Sequence, residues 1–480
     1  MLVDERHVER VGSGPPPEAD RTVDLPGSTI IPGFIDAHVH LSGTGLRHGG
    51  LDLQTAGSRD ELLNLVGRER RGAEPLFGQG FDETGWSDPS FPTVAEIDAL
   101  TGRVVILLRA DGHIALTNTS GLERSGVLDL EGVERDSEGS PTGVLRGEAN
   151  AAIQRWYFAS MSDSAIEDAQ IRAAAIAVSR GVTAVHEMAM PSSRGFRDVE
   201  ILLGHARELP VDVIVYVADR DIPRVMDLGL PRIGGDLCLD GSLGARTAAL
   251  HHSYDDAQGA GKLTHQDDEL VEFLHNAHLA GLQVGLHAIG DAAIDQALRA
   301  WERVYANLDS RGRRHFRARR HRVEHFEMAS SRDVERAAAL GLAISIQPAF
   351  DAIWGDRGEM YESRVGRERA WGMNPFRLLV ERGLEVGAGS DTPVTPLDPM
   401  YGIWAIEHHH DPTQRMSREQ AVRLFTQGSA RLGHFEKKGI LEAGSAADFA
   451  AYEMDPLEEP DVRSLRPVLT VSRGRDVFAR

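Results

Sequence analysis

Residues 267–291 read "DDELVEFLHNAHLAGLQVGLHAIGD". The first half sets apolar residues at helical spacing and stops at Gly281, and the second half is a short apolar run that ends in His287. A helix that feeds an apolar strand is the unit of parallel sheets. The same unit recurs along the chain. Apolar runs occupy residues 103–113, 181–190, 211–220, 321–329, 341–350 and 383–394, and "SSRDVERAAALG" (330–341) is another helical stretch closed by glycine. Seven or eight such units over roughly 400 residues predict an α/β fold, a (β/α)8 TIM-type barrel with insertions and an active site at the C-terminal ends of its strands. The rival is a doubly wound open sheet, but no Gly-rich phosphate loop follows the first strand.

Outside this region the pattern changes. Residues 6–12 and 21–33 alternate apolar and polar side chains between Gly and Pro punctuation, and residues 439–480 do the same. The two ends are therefore expected to pair as a small accessory β-sandwich made of 1–33 and 434–480, with the barrel at 34–433 and an insertion around 45–160.

A chain of 480 residues that is 41% hydrophobic can bury a sizeable core. Its formal charge of −21 argues against nucleic acid or an anionic membrane surface as partner, since both are polyanions, and leaves a small-molecule substrate. One cysteine excludes an internal disulfide framework. The first residues lack the basic and apolar regions of a secretory signal, and no run of 18 apolar residues occurs, so a soluble cytoplasmic protein is expected. A homodimer is left open.

The chemistry gathers at strand ends. In "IIPGFIDAHVHLSG" (30–43) His38 and His40 are two apart on a strand and project from one face, as two ligands of one metal must. His287, His325 and Asp391 end later apolar runs. Each buried polar group needs a partner, and one divalent cation satisfies all five together. In "GGDLCLDGSLGARTA" (234–248), strand alternation would turn Asp236, Cys238 and Asp240 to one side.

These stretches resemble the amidohydrolase superfamily, and within it the N-substituted formamide deformylase-like branch. The matching segments include "PGFIDAHVHL" (32–41), "DGHIALTN" (111–118), "PTGVLRGEA" (141–149), "DGSLGARTAAL" (240–250), "HAIGDAAID" (287–295), "VEHFE" (323–327), "GSDTPVTPLDP" (389–399) and "GSAADFAAY" (444–452). The resemblance implies a metal-dependent hydrolase of C–N bonds, of amide, N-formyl or N-acyl type, acting through a metal-activated hydroxide. It implies that His38, His40, His287 and His325 bind one or two divalent cations, most simply zinc, with Asp391 touching both metal and water as general base and later acid.

Many binuclear relatives hold a carboxylated lysine four residues before the Asp-Gly of that fourth-strand motif, and this chain has Asp236 there. Three readings stay open. Asp236 bridges two metals directly. Alternatively the site is mononuclear, as in a deaminase or cyclic-amide hydrolase, with His38, His40, His287 and Asp391 on one cation and His325 polarising the substrate. In the third, Cys238 supplies a thiolate. A non-catalytic barrel is a further alternative, disfavoured by the presence of all five strand-end groups. Asp111, His113, Arg146, Arg246 and His186 are expected to line the substrate pocket, Glu324 to act as a partner behind the ligands or within the sheet, and the run His408–His410 to be a solvated helix end.

Overall fold

The computed structural model describes residues 1–14, 17–69 and 75–480. Helix Asp267–Leu279 carries three acidic residues in its first turn, where they meet the positive end of the helix dipole, and buries Leu270, Phe273, Leu274 and Ala277. Gly281, at φ 82°, then turns the chain in the left-handed region that favours glycine. The strand that follows, Gln283–Ala288, is buried along its whole length. Burial on both faces explains why Val284, Gly285 and Leu286 run apolar without alternation.

Eight strands share this parallel arrangement: β1 (Phe34–Val39), β2 (Val182–Ala189), β3 (Asp212–Val217), β4 (Arg232–Ile233), β5 (Gln283–Ala288), β6 (Arg322–His325), β7 (Ala343–Ile346) and β8 (Glu385–Ala388). β1, β2 and β3 form one sheet and β4 to β8 a second, with every pairing parallel. Hydrogen bonds join both seams. Gly234 N–H donates to Val217 O at 2.7 Å beside β4, while His40 N–H donates to Thr392 O at 2.9 Å and Asp391 N–H to His38 O at 2.8 Å, tying the end of β1 to the segment after β8. The C-terminal ends of β1, β5, β6 and β8 thereby share one edge.

Two strand expectations change. The apolar run 103–113 is not one of the eight: Val105–Arg109 lies in a six-stranded sheet with Leu51–Asp52, Leu76–Phe81, Ile114–Thr117, Val133–Arg135 and Pro141–Arg146, inserted between β1 and β2. Val105 and Leu107 enter one core of that unit and Ile106 and Leu108 another, so the strand is apolar on both faces and reads like a strand of the main sheet. The stretch 234–248 is not a regular strand either. Gly234 and Gly235 take φ 80° and 74°, and a Cβ on Gly234 would meet Gly285 O at 2.1 Å. The backbone leaves β4 there but stays beside β5, with Gly235 N–H donating to Gly285 O at 3.0 Å and Leu239 N–H to His287 O at 3.0 Å around the isolated Cys238–His287 bridge.

Both ends of the chain supply one four-stranded antiparallel sheet, in which Thr29–Pro32 pairs with Phe449–Tyr452, followed by Leu469–Ser472 and Arg475–Ala479. A separate hairpin, Leu2–Asp4 with His7–Arg10, is attached through Val8 N–H to Ser445 O at 2.9 Å. Among the described residues no helix is long and apolar enough to cross a membrane.

Candidate metal centre

Four side-chain atoms meet at the ends of β1 and β8 and in the loop after β4. His40 Nε2 lies 3.2 Å from Asp236 Oδ2 and 3.1 Å from Asp391 Oδ1, and His38 Nε2 lies 3.6 and 3.3 Å from the same two oxygens. A tetrahedral cation with bonds near 2.1 Å has ligand edges of about 3.4 Å. The four measured separations bracket that edge. The other oxygen of Asp236, Oδ1, lies 3.2 Å from His287 Nδ1 and 3.6 Å from His325 Nε2. Asp236 therefore turns one oxygen to the His38, His40 and Asp391 set and the other to His287 and His325.

The rings are aimed by their other nitrogens. His38 Nδ1–H donates to Glu324 Oε2 at 2.9 Å, and His40 Nδ1–H donates to Met188 O at 2.8 Å, which turns both Nε2 atoms to the centre. Glu324 is itself held by Arg322 Nη2 at 2.7 Å. His325 and Asp391 sit at φ 68° and 55°, a left-handed backbone that costs about 1–3 kcal/mol for such residues and is found at functional sites.

The donor set fits a divalent cation. His38 Nε2, both ring nitrogens of His325 and Asp391 Oδ1 are buried without a hydrogen-bond partner. Unpartnered polar atoms on three neighbouring buried side chains are costly unless something gathers them. Without a cation, protons do part of that work. Burial opposes charge on His40 and His287, yet Asp236 with Asp391 for the former, and Asp236 with Asp240 for the latter, push both up to about 9. Burial likewise opposes charge on His38, and Asp236 and Asp391 outweigh it. Burial raises Asp236 and Asp391, but His38 first and the neighbouring imidazoles next hold both below the usual carboxylate range. A cation would take the place of these protons.

A model of the amidohydrolase family matches residues 21–478. The chain belongs to the amidohydrolase family. It is 25% identical over 505 residues to N-substituted formamide deformylase of Arthrobacter pascens, a match spanning 95% of this chain and 90% of that protein. It is 29% identical over 478 residues to Protein LONG AFTER FAR-RED 3 of Arabidopsis thaliana, spanning 91% of this chain and 80% of the relative. Among solved structures, an uncharacterized metal-dependent hydrolase from Pyrococcus horikoshii OT3 superposes with a TM-score of 0.72 at 26% identity, covering 90% of this chain and 88% of the other. In reaction class this amidohydrolase is a metal-dependent hydrolase.

A cavity of about 610 Å³ opens from the amidohydrolase centre, where His40, Asp236, His287, His325 and Asp391 form its floor. The inserted sheet supplies one wall: Asp111, His113 and Arg146 line it. Asp111 is also bound to Arg109 Nη1 at 2.7 Å and to Ser242 Oγ at 2.6 Å, so part of its role is to fix the wall. Arg246 is elsewhere. Its guanidinium is paired with Asp256 at 3.0 and 2.8 Å and borders a different cavity. His186 does not reach the cavity; it is fully buried beneath the centre, its Nδ1 3.0 Å from Arg322 Nη1, because its position on β2 turns it inward.

Cys238 borders the cavity, where burial and then the nearby carboxylates push its thiol up; its S–H donates to Asp236 O at 3.4 Å, and among the described residues it belongs to none of the groups of side chains close enough to share an ion. Asp240 accepts from Ala249, Ile289 and Gly290 N–H at 2.9, 3.1 and 2.8 Å, which ties the loop after β4 to the end of β5. The histidine run is not a solvated helix end. His408 is exposed, but His409 and His410 are buried against Asp351, with His410 Nδ1 donating to Asp351 Oδ1 at 2.6 Å and His410 Nε2 to Trp371 O at 3.2 Å. Every ring nitrogen of His409 and His410 has a hydrogen-bond partner, so that cluster is a clasp and not a second metal centre. The Met188 carbonyl was invisible in the sequence, since a backbone acceptor leaves no residue signature.

Proposed function

We propose that this amidohydrolase hydrolyses a C–N bond of a small molecule, of amide, N-formyl or N-acyl type, on the C-terminal edge of a closed (β/α)8 barrel formed by β1 to β8, where His38, His40 and Asp391 with one oxygen of Asp236, and His287 and His325 with the other, would hold two divalent cations. The observation that carries this function is the two-sided placement of Asp236, whose oxygens face separate donor sets at 3.2–3.6 Å. A short carboxylate then does directly what a carboxylated lysine does at longer reach. Imidazole and carboxylate donors suit zinc among the divalent cations. When bound, such a cation supplies Lewis-acid activation of water, bringing its pKa to about 7.

The protein's own groups do the rest. The buried Asp391 carboxylate, which turns Oδ1 to the cation donors, accepts the proton of the attacking water on its other oxygen and returns it to the leaving nitrogen. Glu324 and the Met188 carbonyl keep His38 and His40 in one tautomer and orientation. The cavity of about 610 Å³ has the size of a small-molecule site. The formamide deformylase relative makes N-formyl and N-acyl amines the first compounds to try, followed by lactams and amino-substituted heterocycles.

Elemental analysis of protein purified without chelators is expected to give two equivalents of metal per chain. One equivalent would reject the bridged pair in favour of a mononuclear deaminase or cyclic-amide hydrolase. Chelation and Asp391→Asn are each expected to abolish turnover, and full turnover by a metal-free preparation would sink the proposal.

A further inference from the structure

Among the described residues, all but one of the charged side chains that line the cavity beyond the metal centre are in an ion pair closer than 4 Å. Asp111 is paired with Arg109 at 2.7 Å, Glu148 with Arg155 at 2.5 Å, Lys262 with Glu131 at 3.3 Å and Arg146 with Glu134 at 3.5 Å. Arg194 is the exception. It follows β2 in the short helix Pro191–Arg194 and lines the cavity, and its Nε and Nη1 are buried without any hydrogen-bond acceptor. The carboxylates whose charge acts on it, Asp198 and Glu187, make their hydrogen bonds elsewhere: Asp198 accepts from Ser42 Oγ and Gln170 Nε2 at 2.5 and 2.9 Å, and Glu187 accepts from Leu41 N–H at 2.6 Å. Phe158 lies against one face of the guanidinium, 5.5 Å from ring centre to Cζ.

The position ties Arg194 to the reaction. A Cβ on Gly43 would stand 2.6 Å from Arg194 Nη2 and 3.4 Å from the ring of Pro393, two residues past Asp391. The guanidinium thus sits beside the loop that carries Asp391, on the same cavity. A guanidinium held partly out of water with unused N–H groups is costly, and a planar anion that takes two of them removes the cost.

We infer that Arg194 is an anion subsite and that the substrate carries a carboxylate, or a group of the same charge and shape, on the part of the molecule that does not react. This rests on the cavity being the substrate site of the C–N hydrolysis proposed above. Recognition moves no proton or electron.

The test uses matched compounds: N-formyl and N-acetyl ω-amino acids of two to five methylenes, each beside the neutral analogue in which an isopropyl group replaces the carboxylate. The wild-type holoenzyme is expected to prefer the acid in kcat/KM at one chain length, and Arg194→Met to cut the acid-to-neutral ratio by about 10- to 100-fold, the range for a hydrogen bond to a charged group. Arg194→Lys should restore part of the ratio, which a merely structural role for Arg194 would not predict. Calorimetric binding of the same pairs to metal-loaded Asp391→Asn protein reads the subsite without turnover. A wild-type ratio near one at every length, or a ratio unmoved by Arg194→Met, overturns the subsite while leaving C–N hydrolysis standing. Acid-selective, Arg194-dependent binding with no hydrolysis of any amide would instead overturn the proposed reaction and keep the subsite.

Discussion

Asp236→Asn isolates the bridge. The substitution keeps the shape of the side chain but leaves one acceptor oxygen, and the other oxygen becomes an NH₂ group that donates. In the native protein both oxygens are in use, Oδ2 at 3.2 Å from His40 and 3.6 Å from His38, and Oδ1 at 3.2 Å from His287 and 3.6 Å from His325. One donor set therefore loses its only contribution from Asp236 and acquires N–H groups facing a cation. Loss of a partner behind a ligand typically weakens metal affinity 10- to 100-fold, so loss of a ligand itself should weaken one site by at least about 100-fold, or ~2.7 kcal/mol. Calorimetric titration of zinc into chelated protein should show two equivalents in the wild type and one tight equivalent in the variant, with circular dichroism confirming that both are folded. The wild type should also reload at full stoichiometry in buffer freed of bicarbonate. Its lysines are only Lys262, Lys437 and Lys438; Lys262 is on the exposed pair with Glu131, and Lys438 is bound to Asp212 and Asp448. An Asn variant that keeps two equivalents at wild-type affinity would refute the bridge, as would a wild type that needs bicarbonate to bind the second.

Three further outcomes are expected. Glu324→Gln leaves Arg322 buried without its counter-charge and loosens His38 Nδ1; it should cost about 3–5 kcal/mol in denaturant unfolding and weaken metal binding 10- to 100-fold, and unchanged values of both would remove Glu324 from the site. His40 and His287 keep protons up to about 9 in the metal-free fold against an ordinary 6.5, so their stabilisation is complete below 6.5 and lost as pH rises through 9. Chelated protein should melt lower at pH 9.5 than at pH 6, while apparent zinc affinity climbs over the same interval as the cation has fewer protons to displace; a zinc affinity that falls between pH 6.5 and 8 would contradict this. Asp351→Asn removes the charge that holds His409 and His410, and should destabilise the fold by about 3 kcal/mol without lowering metal content, as read by denaturant unfolding and elemental analysis.

Much of this protein was legible from local pattern. The helix, glycine and strand unit at 267–291 is a matter of hydrophobic spacing and of a left-handed glycine, both set by neighbours in the chain, and it reappears as helix Asp267–Leu279 and β5. His38 and His40 share a face because alternation on β1 is a local rule. Where the pattern is ambiguous the sequence misleads: Val105–Arg109, apolar toward two cores, looks like a strand of the main sheet and belongs to the insertion. His409 and His410 look solvated beside a helix end until Asp351, far away in sequence, is packed against them.

Residue types and their spacing determined the parallel α/β plan, the family and the stock of imidazoles and carboxylates. Only the tertiary structure decided how they are used. The two faces of Asp236 are set by the turn at Gly234 and Gly235, which takes that residue out of strand register. The aim of His38 depends on Glu324, 286 residues away, and the unused N–H groups of Arg194 depend on Asp198 and Glu187 making their hydrogen bonds to other groups. Ligation, tautomer and charge balance are properties of distances between chain-distant atoms, and those distances exist only once the strands have brought their C-terminal ends to one edge.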